Sequence, residues 1–176
     1  MQRFTVLVAS LILGLSVLVP LPAEAQTSVK VGPRLGIPVG DVSDVGGNLF
    51  LGADARISGG SLPVVFNPSF DVYLMDDVSG TSSSPSVFAV DLNALYEFGV
   101  DNQAFTPYAG GGIGITRYSS DVEAFGLEGE TTNVGLNIIG GARFPLGTLE
   151  PFVQFNVALG GDLGRAGIVG GLLFRL

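Results

Sequence analysis

Few residues in this chain are equipped for chemistry. The sequence contains no Cys, no His and no Trp. That excludes disulfide staples, Cys/His zinc sites, Ser-His-Asp or Cys-His catalysis, and haem held by His or Cys. What remains is carboxylate, guanidinium and ammonium. Asp54 with Asp71 could in principle do acid–base work, but carboxylates brought into one enclosed space with Arg and Lys pair with them instead. Gly110-Gly111-Gly112-Ile113-Gly114 has the glycine density of a phosphate-binding loop, yet no helix pattern and no Lys-Ser/Thr follows it. Acidic clusters at Asp41 and Asp44, at Asp76 and Asp77, and at Asp121, Glu123, Glu128 and Glu130 lack the spacing of an EF-hand loop and read as a solvated surface. No cofactor and no metal is expected. A net charge of −8 leaves no footprint for nucleic acid.

The elements that carry these side chains follow a period of two, the strand period. Ser28 to Ile37 sets Val29, Val31, Pro33, Leu35 and Ile37 against Lys30, Gly32, Arg34 and Gly36. Asn48 to Ile57 sets Leu49, Leu51, Ala53, Ala55 and Ile57 against Phe50, Gly52, Asp54 and Arg56. The same alternation recurs over Val64–Leu74, Phe88–Phe98, Phe105–Thr116, Asn133–Phe144, Glu150–Leu159 and Arg165–Leu176. Eight strands of about 10 to 12 residues result, and a tilted strand needs about 9 to 11 to cross a bilayer. Short, turn-rich connections (59–63, 99–104, 145–148) alternate with longer polar ones (38–47, 75–85, 118–131), and 162–164 is short. An even strand count leaves both termini at the short-turn end.

Alternation alone does not say which face looks outward. A lipocalin-like barrel turns its apolar face in, and a membrane barrel turns it out. Composition favours the second: 47% of residues are hydrophobic and only 14% charged, against about 25% charged in ordinary soluble domains. Space agrees, because an eight-stranded barrel has an interior barely wide enough for side chains. Glycines crowd the polar face (Gly32, Gly36, Gly52, Gly110, Gly112, Gly114, Gly135, Gly141, Gly167, Gly171), and the run at 110–114 would leave room for Tyr73 or Tyr108. Charge agrees as well. Lys30, Arg34, Arg56, Arg143, Arg165 and Arg175 share the polar face with Asp54, Asp71, Asp91, Glu97 and Glu150, and no ionisable residue falls on the apolar face of the predicted segments. Finally, Phe66, Tyr96, Phe98, Phe105, Phe144 and Phe174 are apolar-face residues near the short-turn end, the place of an interfacial girdle.

The first residues form an address. Arg3, an apolar run from Phe4 to Leu21 and small residues at Ala23 and Ala25 compose a secretory signal peptide, cleaved after Ala25. The predicted organisation is a leader over 1–25 and one barrel domain over 26–176.

The run from Phe105 to Ile115 (FTPYAGGGIGI) resembles the fifth strand of small outer-membrane barrels of the OmpA/OmpX/opacity-protein type, called porin-like. The C-terminus, with Gly171, Phe174 and Leu176, is similar to the signal by which the outer-membrane assembly machinery recognises its clients. It departs from that signal in ending on Leu176 rather than an aromatic, and Val169 stands where a polar residue is usual. The resemblance implies a Gram-negative-type outer membrane, a monomer inserted from the periplasm, contact with lipid and lipopolysaccharide, and no periplasmic domain after the eighth strand. Enzymes of this architecture depend on His, so none is expected here.

The predicted fold is an all-β, eight-stranded antiparallel up-and-down transmembrane barrel. Its lumen should be plugged by ion pairs, with Arg34, Arg56, Arg143 and Arg175 bonded to Asp54, Asp71, Asp91 and Glu97, and Lys30 in the same network. The function expected is structural or surface-interacting. The rival functions are a small passive channel and a soluble periplasmic barrel with an apolar ligand.

Overall fold

A computed structural model of the chain describes residues 27–44, 47–59, 63–75, 86–101, 104–120, 129–160 and 164–176. The predicted leader with its cleavage site, and the acidic residues at 76–77, 121, 123 and 128, lie outside the described residues. Eight strands follow in order: β1 (Ser28–Val39), β2 (Gly47–Ser58), β3 (Val64–Met75), β4 (Ser86–Glu97), β5 (Thr106–Ser120), β6 (Gly129–Arg143), β7 (Leu149–Leu159) and β8 (Arg165–Arg175). Each pairs antiparallel with its sequence neighbours, and β1 pairs with β8, so the sheet closes. Closure removes every strand edge, which is what lets a sheet sit in hydrocarbon with no backbone group unpaired. The Leu176 N–H donates to the Val29 carbonyl at 3.0 Å and completes the β1–β8 seam.

The tight connection between β6 and β7 carries the expected chemistry. Gly147 takes φ 76° as the first of two residues between Leu146 and Leu149, whose backbones bond at 2.9 Å, the arrangement of a II′ hairpin.

The strand pattern sorts solvent from interior in the direction that oil demands. Leu136 is 64% exposed and Ile37 60%, whereas Asp54 is 1% and Arg34 2% exposed. In water such a molecule would be inside out. Among the described residues no helix is long and apolar enough to cross a membrane; the strands are the crossing elements.

Three expectations need correction. β5 and β6 run four residues further at the long-connection end than their hydropathy pattern indicated, to Ser120 and from Gly129. There the alternation places Arg117 on the outward face, opposite Phe88 and Thr132, so that face is not free of ionisable residues. Polar composition masked these turns of the ladder, because a strand that leaves the bilayer no longer needs apolar outward residues. The connection 38–47 is not simply a polar loop either. It contains one helical turn, α1 (Asp41–Asp44), whose Val42 is fully buried in the apolar cluster with Phe50, Val87 and Tyr118. Finally, the interior is not purely polar. Ala89, Phe152, Val169 and Leu173 form that cluster's remainder with Tyr73, and Val65, Leu95, Tyr108 and Ile139 form a second.

Candidate functional site: the barrel interior

The interior side chains reach one another because their neighbours on the same face are small. Arg34 stands opposite Gly52 on β2 and Gly171 on β8; Asp71 opposite Gly52 and Ala89; Asp54 opposite Gly32 and Ser69; Asp91 opposite Ser69 and Gly114. Directly opposed residues share a face at about 4.5–5.5 Å, so a large partner there would fill the space the charged group must cross. Rings use the same device. The ring of Phe50 lies over Gly36 and Gly167, and that of Phe152 over Gly171, so closely that a Cβ at Gly36 or Gly171 would collide with it. The glycine run on β5 gives space to β4 instead of to Tyr73 or Tyr108: a Cβ at Gly110 would be 2.9 Å from Leu95 Cδ2, and one at Gly112 2.6 Å from Asn93 Oδ1. Tyr108 owes its place to Gly141, whose Cβ would be 2.8 Å from the ring.

Two enclosed clusters and one more open group result. Arg34 grips Asp71 through two parallel bonds, Nε to Oδ1 at 2.7 Å and a second from Nη2 to Oδ2. Its Nη1 is 3.4 Å from Asp54 Oδ2, and Nη2 lies 3.9 Å from Asp91. Arg165 donates to Asp91 at 2.6 Å and, more weakly, to the Tyr73 hydroxyl at 3.4 Å. Beneath these, Arg56 donates to Tyr108 Oη at 2.8 Å and to Asp54 Oδ1 at 3.3 Å. Its guanidinium sits 4.5 Å from the centroids of both Tyr108 and Phe152, a cation–π sandwich. Asn67 donates to Asp54 at 3.0 Å, Asn137 to Asn93 at 2.9 Å, and Tyr108 to Gln154 at 2.8 Å.

At the short-turn mouth the pairing is wetter. Arg143 holds Glu97 in a fork at 2.7 and 2.8 Å and reaches Glu150 at 3.1 Å, which also accepts from Lys30 at 2.8 Å. The Glu97 side chain keeps a quarter of its surface in solvent.

The predicted set is therefore brought together with one exception. Arg175 is exposed at the end of β8, across from Lys30. Arg165, at the other end of the same strand, makes the bond to Asp91 in its place. Alternation put both arginines on the inward face, but only one stands at a level where the lumen encloses it. Glu150, also inward by alternation, holds two cations. Sequence reasoning overlooked the apolar interior residues: an isolated Val169 or Leu173 within an alternating strand carries no signal of its own.

The aromatics Phe66, Tyr96, Phe98, Phe144 and Phe174 are exposed on the outside and Phe105 is half-buried. All lie at the short-turn end, with Tyr96 and Phe98 edge to face at 5.1 Å.

A closed sheet that is apolar outside, ionised and hydrogen-bonded inside, and built from strands of 11 to 15 residues is a membrane-spanning barrel and not a lipocalin-like carrier. Residues 6–168 match the family described as "Outer membrane protein beta-barrel domain", and the chain belongs to that family. Its location is the outer membrane. No curated protein matches it in sequence. Among solved structures it is similar to the N-terminal barrel of Pseudomonas aeruginosa OprF (16% identity, TM-score 0.64, covering 87% of this chain and 100% of that one). It is similar also to Neisserial surface protein A (17%, 0.58, 86% and 97%). A third is Ail of Yersinia pestis in complex with the heparin analogue sucrose octasulfate (13%, 0.59, 87% and 99%).

Proposed function

We propose that this protein is a closed envelope barrel, structural or surface-interacting in role, and neither a channel nor an enzyme. The observation that carries the reading is the Arg34 cluster. Arg34 on β1 pairs with both Asp54 on β2 and Asp71 on β3 at almost complete burial, and Asp91, near Arg34, carries the chain of pairs on to Arg165 of β8. Buried charges persist only when paired and hydrogen-bonded, and removing one partner leaves the other costly. Such a network resists the rearrangement an open pore needs. Val42 adds an apolar cork at the long-connection end.

The remaining parts fit one assembly. The leader over 1–25 sends the chain across the inner membrane. The terminal Gly171, Phe174 and Leu176 present the strand that the assembly machinery recognises. The short-turn aromatics anchor the periplasmic interface, where amphipathic and aromatic rings prefer to sit. The barrel acts as a monomer among phospholipid and lipopolysaccharide, and the acidic sequence of its long connections is what meets partners.

Planar-bilayer recording tests the closed lumen. The wild-type protein should give no steady single-channel steps, and Arg56→Ala, which removes the sandwiched cation, should produce intermittent ones. Steady steps from the wild type would overturn the reading in favour of a passive channel.

A further inference from the structure

Between the upper ion pairs and the wall of β7 lies a small cavity of about 20 Å³, lined among others by Asp71, Asp91, Asn137, Asn156, Ala158 and Arg165. Arg165 is held at its two terminal nitrogens, but its Nε is a buried donor with no acceptor. The side chain is 7% exposed. A buried guanidinium donor left bare is rare, because nothing replaces the bond it made with water.

We infer that this cavity is a binding site for one water molecule, which accepts from Arg165 Nε and donates to the oxygens of the wall. Size sets the first limit. About 10–15 Å³ of such space accommodates one water, so the cavity suits one. Charge sets the second. Arg34 and Arg165 balance Asp71 and Asp91, and Asp54 balances Arg56. An anion would therefore stand unpaired beside two carboxylates, and a cation beside two guanidiniums. A neutral molecule with an acceptor lone pair and hydrogens to give fits both. The wall supplies the two to four polar partners that an internal water needs. Phe50, Ile139 and Gly167 complete the lining, and a closed lumen would make the molecule exchange slowly with bulk. That slowness, though not the site itself, rests on the closed lumen proposed above.

The test is solution NMR of the full protein, ¹⁵N-labelled, in phospholipid nanodiscs. The Arg165 Nε proton should show a water cross-peak of the sign that marks a residence time beyond nanoseconds, while exposed Arg175 shows only fast exchange. Ala158→Val narrows the cavity and should abolish the cross-peak with the rest of the amide spectrum preserved. Absence of the cross-peak in the wild-type protein overturns the site, whatever the variant does. A cross-peak with bulk-like exchange overturns an enclosed single water. Conductance separates the two readings: steady steps with a fast-exchanging cross-peak refute closure and spare the site, and a silent barrel without any cross-peak refutes the site and spares closure.

Discussion

Arg34 shows what a single residue does in a space without solvent. Its two bonds to Asp71 and the approaches to Asp54 and Asp91 tie three acidic side chains to one guanidinium. Replacing it by Met keeps most of the volume but strands those carboxylates. Truncating one partner of a buried pair costs about 3–5 kcal/mol, whereas replacing both with apolar groups is often near neutral. Arg34→Met should therefore lower stability by about that amount in urea unfolding from liposomes, read by circular dichroism. The double variant Arg34→Met with Asp71→Leu should recover most of the loss. Equal losses in the single and double variants would show that the pair is not the source of the cost. Arg165 follows the same logic at lower coupling, since it answers mainly to Asp91. Legibility at this scale is uneven. That Arg34 and Asp71 both face inward follows from parity along their strands, but that they meet depends on the Gly52 between them.

At the scale of the strand, one face meets hydrocarbon and the other meets charge, so the same substitution has opposite costs on neighbouring residues. Leu136 on β6 stands outward opposite Ile113 on β5, both more than half exposed. Phe144 lies past the end of β6, at the short-turn interface. Leu136→Arg should cost about 2–4 kcal/mol, and Phe144→Arg about 0–1 kcal/mol, because the penalty for a charge facing lipid falls with distance from the midplane. The comparison is made by unfolding both variants in bilayers of one composition. Equal, small effects at both positions would contradict a lipid-facing wall. Arg117, on the stretch of β5 beyond its predicted end, is tolerated on that wall for the same reason: near the interface a long cationic side chain reaches polar surroundings. Strand existence was legible in the alternation. The added length of β5 and β6 was not, since hydropathy marks where the membrane ends and not where the ladder does.

For the molecule as a whole, the interior is electrically neutral and the net charge of −8 belongs elsewhere. Lys30, Arg34, Arg56, Arg143 and Arg165 balance Asp54, Asp71, Asp91, Glu97 and Glu150, while most other acidic residues of the barrel domain fall in the connections between β1 and β2, β3 and β4, β5 and β6, and β7 and β8. These emerge at one end of the barrel. The similarity to Ail does not extend to its sulfated ligand on electrostatic grounds, since a polyanion meets repulsion here. Titration calorimetry at 0.15 M salt should detect no binding of sucrose octasulfate. Polylysine should bind and weaken as salt rises, because the screening length is already about 8 Å at that ionic strength. Saturable binding of the octasulfate would sink this view of the outer surface. The chain by itself determined the number of strands, their antiparallel succession and which face turns to lipid, because parity and turn chemistry are local properties. Only the tertiary structure decided which charges pair, that Arg165 and not Arg175 answers Asp91, and that Val42, Val169 and Leu173 pack inside. Those outcomes depend on register, tilt and closure, which bring together residues from strands remote in sequence and set the level at which each side chain crosses the lumen.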